Sequence, residues 1–160
     1  MCTDQTIRIR RWQHGDAERL RRAGAGLSAG SLRLRFGSGT PSVPREYLRT
    51  LERLPASSAG GDASVVVALD GDRVIGWAEA RAVGSGEAEV AVVVLDDWQG
   101  RGVAKRLIRA VADEPAAHGR TLHASVLPEN TAAHRLARAV APDGLERAYR
   151  DGYVHYKLAA

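Results

Sequence analysis

Residues 89–107, EVAVVVLDDWQGRGVAKRL, decide the fold of this chain. The apolar run at the start favours a buried strand, and the amphipathic run at the end favours a helix. Gly100 and Gly102 lie between them and predict a tight strand-to-helix turn, because glycine adopts backbone angles that other residues avoid. Such a turn leaves backbone N–H groups open at the positive end of a helix dipole. The stretch therefore predicts an anion-binding site.

Apolar alternation on both sides of this stretch predicts about seven strands. The first strand lies around Ile7 and Ile9, a three-strand meander covers 64–95, and another strand covers 121–127. A hairpin is predicted at 145–158 and closes the chain. Most neighbouring strands are joined by short turns, so the predicted sheet is mixed and largely antiparallel.

Helical periodicity predicts about four helices, at 16–23, 44–54, 102–118 and 128–141. Strands and helices together give one α+β domain that spans residues 1–160.

The composition is that of a soluble globular protein, with 44% hydrophobic and 26% charged residues. The net charge of +4 is small, and the arginines lack the interleaved aromatic residues of a nucleic-acid-binding surface, so no nucleic-acid partner is expected. Cys2 is the only cysteine, and the five histidines lack the spacing of metal ligands, so no metal is expected. No stretch has the length and apolarity of a signal peptide or a membrane span. These features favour a cytoplasmic protein without a membrane partner.

Two common phosphate-binding motifs do not fit the glycine turn. A P-loop has the pattern G-x-x-x-x-G-K-[ST], but the residue five positions after Gly100 is Lys105. A dinucleotide-binding turn has the pattern G-x-G-x-x-G, and Lys105 again stands where its third glycine belongs.

The sequence QGRGVA, from Gln99 to Ala104, instead fits the pattern Q-x-x-G-x-[GA]. In its strand–turn–helix context, it resembles the acetyl-CoA site of the GNAT superfamily of N-acetyltransferases. The order of predicted elements resembles that superfamily over nearly the whole chain. The resemblance implies a single GNAT domain whose sheet splits between its fourth and fifth strands, with acetyl-CoA as co-substrate.

The resemblance also implies a set of cofactor contacts. Backbone N–H groups from about Arg101 to Ala104 would face the pyrophosphate of coenzyme A, and backbone groups of Val92 and Val94 would bond the pantetheine arm. Asn130 would contact the same arm, although a helix cap is an equally good interpretation of this residue. The complete cofactor set is Val92, Val94, Gln99, Gly100, Arg101, Gly102, Val103, Ala104, Lys105 and Asn130.

Glu89 is the expected catalytic base. The stretch AEVAVVVLDDWQGRGVA, residues 88–104, resembles bacterial GNAT protein lysine acetyltransferases, in which the glutamate after the first alanine is the general base. Strand alternation places Glu87 and Glu89 on one face. Apolar neighbours in sequence are expected to desolvate Glu89 and strengthen it as a base. Glu87 and Glu79 remain alternative bases.

The acceptor site is expected to involve residues 24–44, a long segment rich in glycine and serine that is interpreted as a loop with a brief helical or extended piece. Its apolar residues Leu34 and Phe36 are the predicted acceptor contacts. Many small-molecule acetyltransferases carry a tyrosine as general acid at the position of Ala137, so that acid is missing here. Tyrosines near the end of the chain are possible substitutes, although sheet packing is their simpler role: Tyr149, Tyr153 and Tyr156.

The function expected from these features is N-acetylation of a primary amine by direct transfer in a ternary complex. A protein lysine is the favoured acceptor, partly because the tyrosine acid is missing. The alternatives are acetylation of a small amine and acyl-CoA binding without catalysis. The protein is expected to be a monomer or a homodimer.

Overall fold

The computed structural model describes residues 6–37, 39–55 and 61–158. In chain order, the elements are β1 (Arg8–Arg11), α1 (Asp16–Ala23), α2 (Ala29–Phe36), α3 (Arg45–Glu52), β2 (Ala63–Asp70), β3 (Arg73–Val83), β4 (Glu87–Val94), α4 (Val103–Ala112), β5 (Thr121–Val126), α5 (Thr131–Val140), β6 (Leu145–Arg150) and β7 (Tyr153–Leu158). Short 3₁₀ turns cover Gly24–Gly26 and Asp96–Trp98.

The strands form one seven-stranded sheet in the order β1-β2-β3-β4-β5-β7-β6. Every neighbouring pair is antiparallel except β4 and β5, which run parallel. This parallel pairing covers only Glu87–Glu89 against Thr121–His123. Beyond these residues, the two strands no longer pair with each other. The mixed, largely antiparallel sheet and its split between the fourth and fifth strands are confirmed.

Helices cover both faces of the sheet. Leu20 of α1 and Leu51 of α3 are fully buried on one face, beside Trp77 of β3. Leu107 and Val111 of α4 are fully buried on the other face. These contacts bury apolar side chains from both sides of the central strands, which supplies most of the driving force for folding.

Gly76 of β3 allows α4 to approach the sheet closely. A Cβ atom at this position would lie 2.8 Å from the carbonyl oxygen of Val93 and 3.1 Å from Leu107 Cδ1. No side chain fits there without displacing β4 or α4. The position of α4, and therefore of the glycine turn that precedes it, depends on this glycine.

The helices differ from the sequence-based expectation in two places. The segment 24–44 contains a true helix, α2, which makes five α-helices among the described residues. The helix after the glycine turn ends at Ala112, earlier than the expected His118. Pro115 explains the early end, because the residue before a proline avoids helical backbone angles.

Asp16 is a fully buried carboxylate at the start of α1. It accepts hydrogen bonds from Arg10 Nη1 at 2.7 Å, Arg10 Nη2 at 2.9 Å, the Gln13 backbone N–H at 2.8 Å and Arg19 Nη1 at 3.1 Å. Burial alone would raise the pKa of Asp16, but the hydrogen bonds from Arg10 and Gln13 outweigh it and hold the pKa below its usual value. Asp16 therefore ties α1 to β1.

Replacing Asp16 with asparagine should lower the free energy of unfolding at neutral pH by about 3 kcal/mol, because it leaves the largely buried Arg10 without its counter-ion. The ionised form of Asp16 is favoured in the folded state. Its contribution is therefore complete above the unfolded pKa of about 3.9 and declines as the pH falls through the lower folded pKa. Denaturant unfolding should show that the difference in the free energy of unfolding between the two proteins becomes smaller below about pH 4. Glu18→Gln, which alters an exposed carboxylate on the same helix, should change stability little at either pH; an equal effect of both variants would contradict the role of Asp16.

Candidate active site

The turn between β4 and α4 has the geometry of an anion site. Gly100 and Gly102 have φ angles of 73° and 78°, in the left-handed region that favours glycine. A Cβ atom built at either glycine meets no atom within 4 Å, so the space beside the turn is open. Among the described residues, the N–H groups of 100–102 donate to no partner. The first N–H groups of α4 also lack partners within the helix, as at any helix start.

Side chains around the turn have separate roles. Gln99 Nε2 lies 3.0 Å from the carbonyl oxygen of Val94 and 3.5 Å from Ser31 Oγ, so this amide braces the turn itself. The Arg101 guanidinium stacks on the ring of Trp98 at 4.9 Å and stays exposed. Lys105 makes no polar side-chain contact within the described residues, which leaves its ammonium group available.

Arg106 does not point to the turn. Its Nη2 atom donates to the carbonyl oxygen of Ile7 at 2.8 Å, next to β1.

Asp96 fixes helix α2 to the end of β4. Its Oδ1 atom accepts a hydrogen bond from Ser31 Oγ at 2.8 Å and from the backbone N–H of Ser28 at 3.3 Å. Burial acts to raise the pKa of Asp96, but the hydrogen bonds from Ser28 and Ser31 dominate and lower it. The sequence analysis missed this link, since nothing in the local pattern pairs residues so far apart in the chain.

The split leaves the backbone of β4 open on its β5 side. In an antiparallel pair, residues bonded to the partner strand alternate with residues that face away from it. The N–H group of Leu95 donates to the carbonyl oxygen of Ile75 in β3. By this alternation, the backbone groups of Val92 and Val94 point away from β3 and towards the split. The carbonyl of Val94 accepts from Gln99, whereas Val92 lies beyond the last β5 pairing partner.

Glu89 is an exposed carboxylate on the face of β4 opposite to α4. Within the described part of the chain, it makes no hydrogen bond or ion pair. The expectation of an apolar environment was wrong, because Ala88 and Val90 point to the other face of the sheet. Its exposure leaves the carboxylate free to meet an incoming cationic group.

Glu87 lies on the same face as Glu89, but its carboxylate is close to side chains of β5 and β7. Its Oε1 atom is 3.2 Å from His123 Nε2 and 3.8 Å from Lys157 Nζ. Glu87 therefore already has the Lys157 ammonium and the His123 ring beside it.

Glu79 of β3 is the most constrained of the three candidate bases. Its carboxylate accepts hydrogen bonds from Arg35 Nη2 at 2.7 Å and from the Tyr47 hydroxyl at 2.9 Å. The Tyr47 hydroxyl accepts in turn from Trp77 Nε1 at 2.8 Å. Burial and the nearby Glu79 carboxylate raise the pKa of Tyr47, so its hydroxyl stays protonated as a donor. With both oxygens occupied, Glu79 is a structural carboxylate.

Arg35 joins this network to the predicted acceptor residue Phe36. Its guanidinium carbon lies 4.9 Å from the ring centre of Phe36 and 5.3 Å from that of Tyr47. The two rings meet edge to face at 5.1 Å. Phe36 and Leu34 are both partly buried on α2, and Phe36 packs against the hydrophobic core, so it helps to anchor the helix while keeping some surface exposed.

Asn130 caps α5. Its Oδ1 atom accepts from the N–H of Ala133 at 3.1 Å, which supports the cap interpretation and leaves the side-chain NH₂ group free of partners among the described residues. Asn130 lies in the turn that follows β5, directly before the first residue of α5. One side chain could thus serve as the cap and still offer a donor to the split.

Tyr156 is the buried member of the three tyrosines near the chain end, while Tyr149 and Tyr153 are exposed. Its hydroxyl lies 2.7 Å from His134 Nδ1, and His134 Nε2 lies 3.1 Å from the carbonyl oxygen of Leu127. A carbonyl only accepts, so Nε2 carries the proton and the Tyr156 hydroxyl donates to Nδ1. Tyr156 thereby supports the β5–α5 turn, and its proton is already committed to His134.

None of the described helices is long and apolar enough to cross a membrane. Within 6–37, 39–55 and 61–158, no three His, Cys, Asp or Glu side chains are grouped so that they could hold a metal ion. Cys2 lies outside the described residues.

The split sheet, the glycine turn and the order of elements define an acetyltransferase fold of the GNAT type. The chain belongs to the acetyltransferase (GNAT) family, whose model matches residues 32–140. Comparison with curated proteins gives no match.

Solved structures agree with this assignment. The GNAT domain of PAT from S. lividans is 27% identical with a TM-score of 0.81, and the match covers 95% of this chain and 89% of that one. PaiA N-acetyltransferase from Thermoplasma acidophilum, solved in complex with coenzyme A, is 14% identical with a TM-score of 0.70, covering 97% and 99%. Ribosomal-protein-S5-alanine acetyltransferase from Vibrio fischeri is 16% identical with a TM-score of 0.71, covering 94% and 90%.

Replacing Arg35 with alanine should lower the free energy of unfolding by about 3 kcal/mol, because it leaves the Glu79 carboxylate largely buried without a counter-ion. Denaturant unfolding measures the change. Arg33→Gln, on the same helix but exposed, is the matched control and should change stability little. The double variant Arg35→Ala, Glu79→Gln should recover part of the loss, since the unpaired charge is gone. A single Arg35 variant as stable as the Arg33 variant would show that the network does not hold α2.

Proposed function

We propose that this chain is an acetyl-CoA-dependent N-acetyltransferase that acts on a primary amine, with the side-chain amine of a protein lysine as its acceptor. The observation that carries the proposal is the position of an unpartnered carboxylate, Glu89, beside a split whose strand backbone and helix start are both open to a ligand. Membership of the acetyltransferase family supports the same activity.

The cofactor is held by backbone groups in this proposal. The open N–H groups of the Gly100–Gly102 turn and of the first turn of α4 bind the pyrophosphate, with the helix dipole adding partial positive charge. Lys105 and Arg101 supply positive charge nearby. Val92 bonds the pantetheine arm through its backbone, and the free NH₂ group of Asn130 reaches the arm from the other side. Acetyl-CoA supplies an activated acetyl group on a good leaving thiol.

Glu89 takes the proton from the acceptor ammonium in this proposal. An amine attacks only in its neutral form, and a lysine ammonium has an unperturbed pKa of about 10.4. A free, exposed carboxylate can meet the ammonium first as an ion partner and then as a base. Glu79 cannot do so without losing Arg35 and Tyr47, and Glu87 already has Lys157 and His123 beside it.

The exposure of Glu89 supports an acceptor that is carried on another protein. A lysine side chain is long and ends in a single charged group, so it can reach an open face without being enclosed. The sequence resemblance of residues 88–104 to bacterial protein lysine acetyltransferases points to the same acceptor class. Cell lysate proteins and a panel of free amines, each incubated with the enzyme and labelled acetyl-CoA, would separate this acceptor from a small amine by mass spectrometry; transfer to free amines alone would refute the lysine acceptor.

Gly102→Glu should abolish measurable acetyl-CoA binding while the protein stays folded. The substitution places a carboxylate in the open space assigned to phosphate. Gly102→Ala is the matched control, because it imposes a similar backbone strain of about 1–2 kcal/mol without the charge. Calorimetric titration with acetyl-CoA should show weaker binding by the alanine variant and none by the glutamate variant. Equal affinity of the glutamate variant and the unaltered protein would remove the pyrophosphate assignment.

Glu89→Gln should lower kcat by roughly 10²–10⁴-fold, the usual scale for loss of a general base. Acetyl-CoA affinity should stay nearly unchanged, since the carboxylate does not touch the cofactor site. Raising the pH should restore part of the activity by supplying neutral amine. Steady-state kinetics of Glu87→Gln provides the control on the same strand face. If that variant is inactive and Glu89→Gln is active, the base is Glu87 and the assignment of Glu89 is wrong.

A further inference from the structure

The split between β4 and β5 has two banks at its open end. One bank is the end of β4, to which Asp96 ties helix α2 through Ser31. The other bank is the turn from β5 into α5, which His134 holds through the carbonyl of Leu127. The strands themselves do not touch here, because their pairing ends at Glu89 and His123.

One ion pair rejoins the two banks. Arg33 Nη1, on α2, lies 2.8 Å from Glu129 Oε1, in the turn just before Asn130. Among the described residues, it is the only side-chain hydrogen bond or ion pair that links 24–37 to 121–158. The hydrogen bond from Arg33 lowers the pKa of Glu129, so the carboxylate is ionised at neutral pH.

The pair is placed to open easily. Arg33 and Glu129 are 47% and 49% exposed, so water competes for both charges. Exposed pairs of this kind favour the closed form by only about two- to fivefold. The pair can nevertheless re-form with the same partners, because other contacts hold α2 and the β5–α5 turn in place.

We propose that the Arg33–Glu129 pair is a removable outer wall of the cofactor channel, under which the pantetheine arm passes. This inference rests on the proposed acetyl-CoA site. The pair must open for the cofactor to enter and again for it to leave, and it closes over the channel in both states. A barrier of this kind slows association and dissociation by the same factor and leaves the affinity unchanged.

The test is stopped-flow binding of acetyl-CoA itself, so no acceptor has to be known. The double variant Arg33→Gln, Glu129→Gln removes the pair without changing the net charge, which keeps long-range attraction of the anionic cofactor constant. Both rate constants should rise about two- to fivefold, and Kd should stay the same. The difference from the unaltered protein should shrink as salt is raised, because salt weakens the exposed pair.

Two further variants distinguish the loss of this ion pair from other effects of the substitutions. The exchanged pair Arg33→Glu, Glu129→Arg should return both rates to those of the unaltered protein. The double variant Glu46→Gln, Arg49→Gln removes an exposed pair on α3 and should change neither rate. Thermal unfolding checks that all variants are folded.

Unchanged rate constants in the Arg33, Glu129 double variant would overturn the proposal. So would a change in Kd through dissociation alone, which would make the pair an ordinary ligand contact. Failure of the proposed function is a distinct result, since the unaltered protein would then not bind acetyl-CoA at all.

Discussion

Parallel pairing between β4 and β5 lasts for only three residue pairs, and the site is built around the place where it stops. Beyond Glu89 and His123, the two strands separate with backbone groups directed into the gap. An isolated unpaired strand edge in the middle of a sheet would be costly unless water or a ligand satisfied it. Here the gap is flanked by groups that can bind a ligand. The glycine turn lies on the β4 side, and Asn130 lies on the β5 side.

The helices around the split do more than fill the core. Gly76 lets α4 approach the sheet, which brings the start of α4 and its open N–H groups to the end of β4. On the opposite face, Glu79 and Asp96 hold α2 over the same end through Arg35 and Ser31. Packing thus separates the candidate bases: Glu79 is a structural carboxylate with two partners, whereas Glu89 has none among the described residues. In the proposed mechanism, that division selects the base.

The sequence predicted the strands along the chain and the glycine turn from local patterns, and the split from the family resemblance. It left open whether the piece that became α2 is helical or extended, since LRLRF at 32–36 alternates like a strand and the segment is rich in glycine and serine. Glu89 was expected in apolar surroundings because its sequence neighbours are apolar, but in a strand those neighbours belong to the other face. Contacts such as Arg35 with Glu79 and Arg33 with Glu129 were not predictable, because they depend on how distant elements meet.

The open edge of β4 also bears on how a ligand would alter the fold. An extended arm bonded to Val92 would add to the sheet as a short strand does in β-augmentation, filling the place that β5 leaves. A ligand of that kind becomes a structural member of the domain, and its binding energy adds to the stability of the folded state by mass action. In the cell, the resistance of such a domain to unfolding and proteolysis would then follow the supply of its ligand, which couples protein lifetime to metabolite concentration.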